Sequence, residues 1–221
     1  MDDTSGCRSS LPQAAGTQGH PATTSIGVGE NARVRNSRTP RRADITAVEL
    51  VGGAEALELE LHDHDERWAD TYRWHRARIE EALAAVDVEI EHIGSTSVPG
   101  LAAKPIVDIV VAVDDITAEE DHLDALLAAG YQLRVREPGH RLVRTPARDV
   151  HVHLYERDDP AVGEYLLLRD HLRADADDRA LYESTKRALL SQRWDDTNAY
   201  ADAKTDVILE IKARARAARA Q

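Results

Sequence analysis

Residues 92–108 run His-Ile-Gly-Ser-Thr-Ser-Val-Pro-Gly-Leu-Ala-Ala-Lys-Pro-Ile-Val-Asp, and no other stretch limits the fold so tightly. A strand over Val88 to Ile93 must stop at Gly94-Ser95, where small residues break the apolar run. A turn punctuated by Pro99-Gly100 follows, and a Lys104-Pro105 step leads into a second apolar strand, Ile106 to Val113. This strand reads as buried, yet it carries one carboxylate, Asp108. An ionised carboxylate is costly to bury without a partner, so a metal or another cation is expected beside it. A Gly-Ser loop next to a carboxylate-bearing strand suits phosphates held against a metal ion. On this segment alone the alternative stays open: an Asp at a strand end, solvated or bonded to turn amides.

The chain has 221 residues, 42% hydrophobic and 31% charged, which suits one globular domain with a modest tail. Residues 1–46 are rich in Gly, Ser, Thr, Pro and Arg, lack apolar periodicity, and read as a disordered tail. The domain is expected over residues 47–221. Net charge is −12, with +2 in the tail and −14 beyond it, which argues against a general nucleic-acid or anionic-membrane binder. Cys7 is the single cysteine and rules out an internal disulfide or a Cys-based zinc site. Neither a secretory signal nor an 18-residue apolar stretch is evident, so a cytoplasmic protein is expected.

Leu57 to Leu61 alternates Leu and Glu as a half-exposed strand would. Asp63 and Glu66 form a cap-like pair before a helix whose stripe is Trp68, Tyr72, Ile79, Leu83 and Val86. After the strand–loop–strand unit, Thr117 with Glu120 predicts a capping box for a helix burying Leu123, Leu126 and Leu127 and ending at Gly130. Tyr131–Arg136 and Arg141–Thr145 read as a hairpin turning at Pro138-Gly139, with Arg141 and Arg144 facing solvent. Val150 to Tyr155 alternates strictly. Helices follow from Pro160 to about Arg173, about Asp177 to Ser191, and Thr197 to near the C-terminus. A mixed sheet followed by helices is an α+β pattern.

His151 and His153 lie two apart, so strand period puts both on one face, opposite Val150, Val152 and Leu154. If this strand neighbours that of Asp108, two imidazoles and a carboxylate converge. Such a set suits Mn, Fe, Ni or Zn better than Mg, which prefers oxygen. The bland alternative is two exposed polar residues on a half-buried strand. Lys104, held at the loop end by Pro105, could reach a phosphate; the alternative is an ordinary surface lysine. Tyr182 with Lys186, and Tyr200 with Lys204, share helix faces. The plainer expectation for both pairs is core rings with lysines snorkelling to water. Arg169 with Asp170 reads by default as a solvated ion pair.

The run from His92 to Asp108 resembles the signature of the GrpB family, within the nucleotidyltransferase superfamily. The likeness extends from the Trp68 helix through Gly130-Tyr131, Pro138-Gly-His-Arg141, His151-Val-His153, Leu168-Arg-Asp-His-Leu-Arg173 and both Tyr-x-x-x-Lys helices. It implies an α+β, nucleotidyltransferase-like mixed sheet flanked by helices, with a C-terminal helical segment. It also implies a Gly-Ser loop that holds a triphosphate and strand carboxylates that bind divalent metal. Gly94 and Ser95 match the loop, and Asp108 falls where the first carboxylate belongs. Where that pattern has a second carboxylate, this chain has Val110. In some bacteria such domains are joined to dephospho-coenzyme A kinase; no phosphate loop of that kinase's type is present here.

The resulting expectation is a metal-dependent nucleotidyltransferase-like enzyme that binds a nucleoside triphosphate and a divalent metal (Mg, Mn or Zn). Asp108, His151 and His153 are its expected metal ligands, with Asp108 and Lys104 serving catalysis. Gly94, Ser95, Thr96, Arg169, Lys186, Tyr200 and Lys204 are its expected nucleotide contacts. Two alternatives stand beside it: a catalytically silent nucleotide- or metal-binding regulatory module, and a metal-dependent hydrolase.

Overall fold

Alternating side chains divide the central strands into two faces, and the two faces meet different partners. The computed structural model describes residues 43–53, 60–190 and 203–220. Its elements are β1 (Glu49–Leu50), α1 (Arg67–Ala82), β2 (Glu89–Ile93), a 3-10 turn (Ser95–Ser97), β3 (Val107–Val113), α2 (Glu119–Ala128), β4 (Gln132–Glu137), β5 (His140–Arg144), β6 (Val150–Glu156), α3 (Pro160–Ala174), α4 (Ala176–Leu190) and α5 (Thr205–Arg219). The six strands form one sheet ordered β1-β4-β5-β6-β3-β2. Strands β3 and β6 pair in parallel and every other pair is antiparallel. The expected α+β architecture, a mixed sheet flanked by helices with a C-terminal helical segment, is present.

Val107, Ile109, Val111 and Val113 of β3 and Val150, Val152 and Leu154 of β6 pack with Trp68, Ile79, Leu83, Leu123 and Leu126. This face, under α1 and α2, is the main core, and Val152 and Leu154 are fully buried as the alternation predicts. On the opposite face Ile93, Val110 and Val162 pack together with Tyr155, Tyr165 and Leu166, which brings α3 against the sheet. Parallel register sets Asp108 beside His151 and Val110 beside His153. Period two therefore points Asp108, His151 and His153 toward the same side.

The caps differ from expectation. Asp65 accepts from the Arg67 backbone N–H at the start of α1, in place of the Asp63/Glu66 pair. Asp115 accepts from both the backbone and the hydroxyl of Thr117, and Ala118, not Thr117, stands at the N-cap of α2, with no side-chain cap. Leu127 is 37% exposed rather than buried; His122 lies in the core at 1%. Asp159 caps α3 by accepting from Ala161, with Pro160 in the first turn. Arg141 does not face solvent. It is 1% exposed and held by Asp44, Glu119 and the backbone carbonyls of Glu137 and His140.

Most of the expected Leu57–Leu61 strand, residues 1–42 of the expected tail, the start of the last expected helix, and Tyr200 lie outside the described residues. Among the described residues no helix is long and apolar enough to cross a membrane.

Candidate metal and nucleotide site

Gly94 sits at φ +70°, and a Cβ added there would stand 2.5 Å from Asp108 Oδ2. Only glycine both adopts this backbone without strain and lets the turn close onto the carboxylate. The turn is braced from within by the Ser97 hydroxyl, which donates to Gly94 O at 2.6 Å. From α3, the Arg173 guanidinium donates twice to Ser97 O.

Asp108 Oδ1 lies 3.7 Å from His151 Nδ1 and 3.6 Å from His153 Nε2. One donor atom from each of the three residues falls within 4.8 Å of the other two. These gaps are too long for hydrogen bonds. They approach the separation of donors sharing one ion, since ligand atoms about 2.1 Å from a metal stand roughly 3–3.5 Å apart. The Asp108 side chain is 30% exposed, not buried. It faces a cavity, so the burial cost that singled it out in the sequence does not apply, and convergence with the imidazoles replaces that argument. Burial holds the His151 imidazole below its ordinary range and favours the neutral form that binds metals.

A second histidine–carboxylate cluster, His171, Asp175 and Asp178, has a different character. Asp178 accepts from Arg214 through both oxygens and meets His171 at 2.6 Å, so it ties α3, α4 and α5 together by ion pairing.

The cavity beside Asp108 measures about 570 Å³ and is lined by Gly94, Ser95, Thr96, Lys104, Asp108, His151, His153, Tyr165, Tyr182, Lys186 and Lys204. Lys186 does not snorkel. The residue is 3% exposed, and its ammonium donates to Ser95 Oγ at 3.1 Å and to Ala102 O at 2.5 Å and lies 4.7 Å from the Tyr182 ring centre. Burial, helped by the positive charge of Lys204, brings Lys186 down to about 7. Lys204 is also lowered by burial, opposed by the Asp108 charge. Both lysines line the cavity that Asp108 faces.

Two expected contacts are placed differently. The Thr96 hydroxyl reaches the cavity wall but is committed to Ile106 O and His92 Nε2, each at 3.1 Å. Arg169 lies on another hollow, where it grips Glu91 at 2.6 Å and His92 O at 3.0 Å and braces β2 against α3. Tyr165 and the Glu137–His140 pair behind His153 were not foreseen. The former is a mid-helix aromatic; the latter depends on cross-strand register.

The GrpB family pattern, described as GrpB protein, matches residues 58–214, and the chain belongs to the GrpB family. It is 74% identical over 184 residues to the UPF0157 protein SCO7215 of Streptomyces coelicolor, covering 83% of this chain and 98% of that one. It is 29% identical over 156 residues to a dephospho-CoA kinase of Mycolicibacterium paratuberculosis, covering 58% of this chain and 38% of that protein. Among solved structures, the conserved protein GrpB from Enterococcus faecalis superposes with a TM-score of 0.64 at 27% identity, over 73% of this chain and all of that one.

Proposed function

We propose that this protein binds a nucleoside triphosphate together with one divalent metal ion and transfers the nucleotidyl group to an acceptor. The convergence of Asp108, His151 and His153 on one point, next to the Gly94-Ser95 turn, carries this reading. One carboxylate oxygen and two imidazole nitrogens fit a single borderline ion such as Mn or Zn better than a pair of Mg ions. When bound, the ion would polarise a phosphoryl oxygen and offset its charge.

The chain's own groups supply the rest. The backbone of the Gly94-Ser95 turn and the Ser95 hydroxyl present hydrogen-bonding groups to phosphate oxygens. Lys104, Lys186 and Lys204 place positive charge around the cavity and would stabilise the pyrophosphate as it leaves the α-phosphorus. Tyr182 and Tyr165 supply ring surface.

A second reading, a nucleotide-binding module without transfer, is supported by Val110. It occupies the second carboxylate's position, is 1% exposed and packs with Ile93 and Val162. Incubating the protein with each nucleoside triphosphate and Mn or Zn separates the two readings. Pyrophosphate release and a nucleotidylated product support transfer. Stoichiometric binding without either product supports the module, and absence of nucleotide binding overturns both.

A further inference from the structure

Behind the metal-facing edge of His153 stands a second imidazole, and behind that a carboxylate. Glu137 Oε1 lies 2.6 Å from His140 Nδ1, and His140 Nε2 lies 3.2 Å from His153 Nδ1. A carboxylate only accepts, so His140 Nδ1 carries the hydrogen. A neutral His140 then has a bare Nε2, which can only accept, so the hydrogen of this contact belongs to His153 Nδ1. A neutral His153 is left with its lone pair on Nε2, the atom 3.6 Å from Asp108 Oδ1. Each step follows from the one before, and the chain of bonds ends at the metal position.

We propose that Glu137 and His140 set the ring tautomer of His153 and aim its Nε2 lone pair at the ion beside Asp108. They act as positioning residues for that ligand. The inference rests on the metal-site reading above and adds to it the device that prepares one ligand before any ion arrives. Free histidine favours the opposite tautomer, with hydrogen on Nε2, so the relay works against an intrinsic preference.

The surroundings hold the relay still. His140 is 7% exposed, and its ring lies nearly parallel to those of Tyr155 and His153, with centres 4.4 and 5.3 Å away. Antiparallel register puts His140 opposite Tyr155 and Leu142 opposite His153. The β4–β5 turn joins Glu137 to His140 through Pro138 and Gly139, the latter at φ +75°. The buried Arg141 guanidinium donates to Glu137 O at 2.8 Å and to His140 O at 3.0 Å, bracing the two relay residues from the backbone side.

The test combines two readouts on the full chain. In metal-free wild type, long-range proton–nitrogen NMR on ¹⁵N-histidine-labelled protein should show His153 with hydrogen on Nδ1 and a bare Nε2. In Glu137→Leu and His140→Leu the hydrogen should move to Nε2, and zinc affinity, measured by chelator competition, should fall by about 10- to 100-fold. His140→Gln, whose amide oxygen can accept at the same place, should retain most of the affinity. A wild-type His153 with hydrogen on Nε2 overturns the proposal, and so does a His140→Leu variant that binds zinc as tightly as wild type. Should a leucine variant fail to fold, the wild-type tautomer decides alone. Wild type that binds neither zinc nor manganese overturns the metal reading instead, while the tautomer still reports on the relay.

Discussion

The Lys186 ammonium lies 3.1 Å from the Ser95 hydroxyl, which joins helix α4 to the turn that closes on Asp108. Its pKa, depressed to about 7 by burial, is well below that of the same lysine in the unfolded chain. Between pH 7 and about 10.4 the unfolded state therefore binds more protons than the folded one, and stability should rise with pH across that window. Below pH 7 the full cost of the buried charge is present. Thermal melts of wild type should accordingly rise from pH 7 to pH 9 relative to Lys186→Met, which lacks the group. The same variant should bind a nucleoside triphosphate about 10- to 100-fold more weakly, the equivalent of one charge-assisted contact of about 1.5–3 kcal/mol.

Gly94→Ala tests the close approach of turn and carboxylate. The positive φ alone costs about 1–2 kcal/mol in a residue with a side chain, and the added methyl would push against Asp108 Oδ2. Denaturant melts should show a loss of at least that size, and metal affinity should fall with it. Unchanged affinity would mean that the carboxylate does not depend on the turn for its position.

Burial, with the nearby charge of Arg173, lowers His92 to about 4. The folded state then binds fewer protons than the unfolded one between about pH 6.5 and 4, so stability should fall as pH drops through that window. His92 supports the turn through Thr96 and stacks on Tyr72 at 4.7 Å. His92→Gln should flatten the acid limb of the stability profile, measured by urea melts at pH 7 and pH 5.

Asp44 precedes β1, yet it accepts from buried Arg141 at 2.6 Å and from the Gly139 backbone at 2.5 Å. Asp44→Ala should cost about 1–3 kcal/mol, because it leaves part of a buried guanidinium unpaired. Glu119 still holds the other side of Arg141. Urea denaturation of the two proteins compares them directly.

Much of this arrangement was legible in the residues, and the reason differs case by case. Alternation in β6 placed His151 and His153 on one face, because a strand's period is two wherever the other face is buried; that Asp108 joins them depends on the parallel pairing of β3 with β6, which entered only as a condition. Pro138-Gly139 marked a hairpin, since the glycine there needs a positive φ. Lys186 was harder: helical spacing says which face a lysine shares with Tyr182 but not whether α4 turns that face to water or to the cavity. Arg169 and Thr96 carry plausible phosphate-binding chemistry, yet local partners on β2 and the turn consume it. His140 joins His153 only through cross-strand register, which no local pattern states.

Metal titration of the purified chain tests the central claim most directly. Mn or Zn content, read by mass spectrometry of the native protein, should reach one ion per chain in wild type. It should be lost in Asp108→Ala and in His153→Ala, each folded by circular dichroism. Wild type with no bound ion, or variants that keep theirs, would contradict the account.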